Sequence, residues 1–151
     1  MEQAEVLRLY EAYADDVFRL ALSYLRSRQD AEDVCQSVFV KLLSGKKCPE
    51  AGREKPWLLT CTANACKDRL RFLRRRRMEA LDEQTVSLEE AERDVWDAVM
   101  ALKPKYRAVV HLYYYEGYAQ DEIAKILHIS RTAVQTRMSR ARETLKEVLT
   151  E

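Results

Sequence analysis

Turn-making residues are scarce in this chain, which has three glycines and three prolines among 151 residues. A β-rich fold reverses direction often and draws on glycine and proline to do so. Their scarcity argues against a sandwich or barrel and, with 47% apolar residues to fill a core, predicts an all-α protein. Histidine is scarcer still: His111 and His128 are too isolated for a zinc site or an acid–base pair. The four cysteines, Cys35, Cys48, Cys61 and Cys66, include no C-x-x-C pair, and Cys61 and Cys66 lie too far round a helix to share a tetrahedral metal easily. Free thiols are expected, with no metal and no cofactor. The chain lacks a run of about 18 apolar residues to span a bilayer and a basic-then-apolar leader. The expectation is a cytoplasmic protein without membrane insertion.

Excess charge is also missing, since the net value is only +1. The charge is segregated, however. Residues 1–77 hold 16 Lys+Arg against 11 Asp+Glu, residues 78–101 hold 1 against 8, and residues 102–151 hold 9 against 6. Two basic modules therefore flank an acidic connector, and DNA would attract the modules while repelling the connector. Met78 to Ser87 also has no sustained helical stripe, so it reads as a boundary. The expected organisation is two small helical domains, 1–78 and 93–151, joined by a short acidic linker, 79–92.

What is present is helical periodicity. Val6, Leu9, Tyr10, Tyr13, Val17, Leu20, Ala21, Tyr24 and Leu25 form the inner stripe of a helix from about Gln3 to Arg26. After a polar break, Asp30 is expected to cap a second helix through Leu43, with Ala31, Val34, Cys35, Val38 and Leu42 inside. Ser44 to Pro56 is a loop rich in cations, Lys46, Lys47, Arg53 and Lys55. Pro56 suits the first turn of a third helix, which carries Trp57 and Leu58 and then Lys67, Arg69, Arg71 and Arg74 to Arg77. Those arginines could be a solvated helix end favoured by the macrodipole or a phosphate-binding strip.

The last third bears on that choice. Ile123, Leu127, Ile129, Val134, Met138, Ala141 and Leu145 recur at three or four residues across a short break, so two helices turn one apolar stripe to a common core. This is a helix-turn-helix, whose first helix runs from Tyr118 to Leu127 and whose second, from Arg131 to about Leu149, is shaped for the DNA major groove. Ser130 can cap that helix. His128 occupies a sharp turn that would favour glycine. Arg131, Thr132, Gln135, Thr136, Ser139 and Arg140 face outward, and their side chains suit base edges and phosphates. Nuclease or recombinase chemistry would need clustered carboxylates or a supported nucleophile. The acids instead lie on helix faces or in the connector, and Ser23, Ser27 and Ser37 have no paired base. No enzyme is expected.

The motifs in order are Asp30-Ala31-Glu32-Asp33-Val34-Cys35-Gln36-Ser37-Val38-Phe39-Val40-Lys41-Leu42, Pro56-Trp57-Leu58, and the cationic helix Asn64 to Arg77. Leu102-Lys103-Pro104-Lys105-Tyr106-Arg107, Glu122-Ile123-Ala124 and Arg137-Met138-Ser139-Arg140-Ala141-Arg142 follow. Over almost the whole chain they resemble the bacterial extracytoplasmic-function (ECF) sigma factors of the sigma-70 family. Thr132 and Ala133 stand where that family often has Gly-Thr, which bears on promoter sequence rather than class.

The resemblance implies a dissociable specificity subunit that binds core RNA polymerase and directs initiation at promoters with two spaced elements. Polymerase contacts would come from Asp30, Asp33, Gln36, Ser37 and Lys41. Minus-ten contacts would come from Lys46, Lys47, Arg53, Trp57, Asn64, Lys67, Arg71, Arg74 and Arg75, since a basic loop beside an aromatic can hold an unpaired base. Minus-thirty-five contacts would come from Ser130, Arg131, Thr132, Gln135, Thr136, Arg137, Ser139 and Arg140. The implied partners are core polymerase, promoter DNA and an anti-sigma factor. The alternative is a sigma-like helix-turn-helix regulator without polymerase docking.

Overall fold

The computed structural model describes residues 2–45, 47–80 and 95–150. Among these residues the chain is helical, with no strand: α1 (Gln3–Leu25), α2 (Arg28–Ser44), α3 (Glu54–Ala80), α4 (Val95–Met100), α5 (Pro104–Val110), a π-helical turn (His111–Tyr115), α6 (Gln120–Leu127) and α7 (Arg131–Thr150). Most of the expected connector, 81–92, lies outside the described residues.

The helix ends follow local chemistry, and several differ from the sequence reading. Helix α1 stops at Leu25 because Arg26 adopts a left-handed conformation, φ 56°, and its N–H donates to the Leu22 carbonyl. Asp30 does not cap α2. Ser27 does, its hydroxyl accepting from the Asp30 N–H at 3.2 Å, while the Asp30 carboxylate turns to Arg69 at 2.6 Å. Helix α3 continues past Arg77 to Ala80, so Met78 to Ala80 are helix rather than boundary; arginine-rich sequence propagates helix well without an apolar stripe. Helix α6 starts at Gln120, not Tyr118, because Gly117 has φ 77° and Ala119 is extended. The Ala119 N–H donates to the Glu122 carboxylate at 3.2 Å, half of a capping box.

The inner stripes meet as the periodicity requires. Leu9, Val17 and Leu20 of α1, Leu42 of α2 and Leu58 and Leu59 of α3 are wholly buried. This apolar cluster continues into the C-terminal half through Ala108, Val109, Leu112, Ile123, Leu127, Val134 and Met138. Among the described residues the two halves thus share a seam. Side chains of one half also bond the backbone of the other: Thr60 of α3 donates to the Ile126 carbonyl at 2.8 Å, and Arg107 of α5 donates to the Ser23 and Tyr24 carbonyls at the end of α1.

Candidate nucleic-acid interface

The helix-turn-helix is built as its sequence implies. Leu127 ends α6, His128 takes the left-handed turn at φ 54°, and its N–H caps back onto α6. Ile129 packs on the core, and the Ser130 hydroxyl accepts from the Ala133 N–H at 3.0 Å, opening α7. Val134, Met138 and Ala141 point inward and are buried. That orientation leaves Arg131, Thr132, Gln135, Thr136, Ser139 and Arg140 exposed on one continuous face, with Arg137 half-buried at its edge. The Arg131 guanidinium is steadied by Asp121 at 3.1 Å. A polar strip of this width on an exposed helix can reach base edges while its cations take phosphates.

Helix α3 sorts its cations into two groups. Arg74 and Arg75 are exposed, as is Asn64, whereas Arg71 pairs with Asp68 at 2.6 Å. Arg69 is engaged inward with Asp30 and, at 4.0 Å, Asp33. Lys67 is half-buried, and burial, then Arg137, then Arg71 lower its pKa. Arg137 of α7 is thus near enough to Lys67 of α3 for its charge to be felt there. Lys47 and Arg53 are exposed on the basic loop; Lys46 lies outside the described residues. Trp57 is half-buried against the core, with only part of its ring free.

On α2, Asp33, Gln36, Ser37 and Lys41 are exposed, while Asp30 is half-buried in its pair with Arg69. The sequence reading passed over their neighbours. Val40 is 62% exposed and Leu43 48%, and at spacings of four and three they continue the row begun by Asp33 and Gln36. Leu7 and Tyr10 of α1 are also exposed, and with Val6, Phe39 and Leu43 they line an apolar groove of about 530 Å³. The signal was available, because Val40 and Leu43 are apolar residues off the inner stripe of Ala31, Val34, Cys35, Val38 and Leu42.

Between the halves lies a polar cluster that the sequence did not announce. Lys55 Nζ sits 2.7 Å from the Glu116 carboxylate and 3.7 Å from Asp16. Burial lowers the Lys55 pKa, but the hydrogen bond and charge of Glu116, with Asp16, more than offset this and leave it raised. Burial, then Glu116, raises Asp16. His111 stacks on Tyr115 at 5.0 Å, its Nε2 has no partner, and burial, then Arg19, lower its pKa to about 4. Cys35 and Cys66 are buried and Cys61 half-buried; burial raises all three thiols, so these sulfurs are not activated nucleophiles. Among the described residues no cluster could hold a metal ion, and no helix is long and apolar enough to cross a membrane.

Two exposed cationic helices, one in a helix-turn-helix, over a shared helical core are the architecture of a two-module DNA-binding protein. The chain matches the family description of sigma-70 region 2 over residues 9–76 and of sigma-70 region 4 over residues 92–145. It is 32% identical to RNA polymerase sigma factor CarQ of Myxococcus xanthus, over 95% of this chain and 88% of that protein. It is 31% identical to the ECF RNA polymerase sigma factor SigE of Mycolicibacterium smegmatis, over 93% of this chain but 60% of the relative's length. The chain belongs to the sigma-70 family, in its extracytoplasmic-function group. The fold is similar to that of the sigma factor RpoE solved in complex with the anti-sigma factor NepR from Bartonella quintana, with a TM-score of 0.77, 22% identity and 97% of both chains covered. It is also similar to CnrH solved in complex with the cytosolic domain of CnrY, with a TM-score of 0.68, 26% identity, and coverage of 99% of this chain and 90% of that one.

Proposed function

We propose that this protein binds core RNA polymerase and directs initiation at promoters carrying two spaced elements, acting as a non-catalytic cytoplasmic subunit. The observation that carries the reading is the pairing of two separate DNA-facing surfaces, α3 and α7, with an exposed polar and apolar face on α2 that DNA would not need. The modules are taken as 1–78 and 93–151, with 79–92 between them.

In this reading Asp33, Gln36, Ser37 and Lys41 contact polymerase, and Val40, Leu43, Leu7 and Tyr10 supply the apolar part of that surface. Asp30 positions Arg69 rather than reaching outward. Lys47 and Arg53 of the loop, with Trp57, Asn64 and Lys67, face unpaired minus-ten bases, and Arg71, Arg74 and Arg75 take phosphates. Gln135, Thr136, Ser139 and Arg140 read the minus-thirty-five element, while Arg131, Thr132 and Arg137 flank them.

Each DNA surface alone binds weakly, and one polymerase holding both raises their effective concentration at correctly spaced elements. With α3 held against α6 of the other half, reaching two distant sites calls for the halves to separate on the polymerase. An anti-sigma factor that holds the halves together is the partner this arrangement invites, and RpoE, similar in fold, was solved in complex with the anti-sigma factor NepR. The test is capture of purified core polymerase by the chain, followed by run-off transcription. Both should succeed; DNA binding with neither would make the protein a standalone regulator.

A further inference from the structure

A cavity of about 520 Å³ opens where α1 meets α4, α5 and the π-helical turn. Its apolar wall comes from Phe18 and Leu22 on one side and Val99, Val110 and Tyr114 on the other. That size and character suit a small organic molecule. The charges around it are unbalanced. Arg107 lines the cavity and is 3% exposed, yet among the described residues its guanidinium bonds only to carbonyls, those of Ser23, Tyr24, Leu102 and Met100. Four bonds leave one of its five N–H groups unused. Burial lowers its pKa to about 10, which keeps it charged at neutral pH. Arg19 stands at the rim, stacked over Tyr115 at 5.2 Å and within the field of Asp16, and among the described residues the one acid on the wall is Asp15. An apolar cleft whose buried cation meets no carboxylate among the described residues is complementary to an amphiphilic anion.

We infer that this cavity binds a small amphiphilic carboxylate, an alkyl or aryl acid, with its apolar body between α1 and α5 and its carboxylate at Arg19, above the uncompensated charge of Arg107. Because the walls belong to opposite halves of the chain, only the closed arrangement can hold the ligand, and occupancy opposes separation. The effect on transcription rests on the sigma-factor reading; the binding does not.

The experiment titrates the full chain with decanoate, 1-naphthylacetate and decanol by calorimetry. At least one acid should bind at least tenfold more tightly than the alcohol, and which acid binds distinguishes a fatty from an aromatic source. Two filling variants on opposite walls, Leu22→Trp and Val99→Phe, should each weaken that acid at least tenfold, so one misfolded variant does not remove the test. Arg19→Gln should cut the acid's advantage over the alcohol to below threefold. Failure of both acids to bind overturns the inference. So does equal binding of acid and alcohol, binding that survives both filling variants, or an acid preference unchanged by Arg19→Gln. If the acid binds as described but does not weaken polymerase capture, the site stands and the link to opening is wrong.

Discussion

Lys55 and Glu116 form a 2.7 Å ion pair across the seam between the two halves, and the Glu116 side chain is only 2% exposed. Truncating the lysine leaves a buried carboxylate without its cation, which costs more than the pair contributes. Lys55→Met should therefore destabilise the chain by about 1–3 kcal/mol, and the double variant Lys55→Met with Glu116→Leu should recover most of it. Urea unfolding of the wild type and the two variants checks this. Equal losses in the single and double variants would show that the orphaned carboxylate is not the cause.

His111 gives the seam a pH dependence. Its folded pKa is depressed, from 6.5 to about 4, by burial, then by Arg19, with Asp16 opposing and Lys55 adding to the depression. The unfolded chain therefore takes up the proton first as pH falls. The stabilisation from neutral His111 is complete above about pH 6.5 and is lost as pH drops toward 4, a contribution on the order of 2 kcal/mol. Asp16, whose pKa is raised by burial and then by Glu116, has the opposite sign, favouring the folded state at low pH. Unfolding free energies from pH 7.5 to 4.5 should fall in the wild type and flatten in His111→Gln. An unchanged slope would remove His111 as the cause.

The two DNA surfaces should fail differently. Gln135→Ala removes a base-edge contact and should shift preference at one minus-thirty-five position by about 1–3 kcal/mol, leaving other promoters nearly untouched. Replacing Arg74 and Arg75 with alanine should weaken every promoter and flatten the salt dependence by roughly one log–log unit per lost phosphate contact. Binding of holoenzyme to a promoter panel at several salt concentrations separates them. Uniform weakening by Gln135→Ala would contradict direct readout.

The exposed apolar row on α2 makes a third kind of prediction. Val40→Asp with Leu43→Asp alters residues that are already solvent-facing, so the fold should hold while affinity for core polymerase falls more than tenfold. Fluorescence anisotropy with core polymerase measures this, and circular dichroism guards the fold. Unaltered affinity would move the docking surface elsewhere.

The local structure was largely legible in the sequence, because caps, breaks and stripes are short-range. His128 was read at a glycine-favouring turn and has φ 54°, and Ser130 was read as a cap and is one. The Asp30 cap was misread for a long-range reason, since Arg69, 39 residues away, holds that carboxylate while Ser27 serves the helix. The seam could not be read at all. Arg107 appears in sequence as one more cation on a basic helix, and only packing turns it toward the α1 carbonyls 83 and 84 residues away. The π-helical turn at His111–Tyr115 likewise has no pattern that sets it apart from an α-helix. The face of α2 was half-read, with polar members named and the apolar Val40 and Leu43 overlooked.

The central claim is that one polymerase holds both surfaces of this chain on two spaced elements. Its most direct test is transcription from a randomised promoter library by core polymerase reconstituted with the protein. The account predicts that enriched transcripts share two short elements at a fixed spacing, and that the free chain selects neither from the same library. Transcripts sharing a single element, or equal selection of both elements by the chain without polymerase, would contradict it.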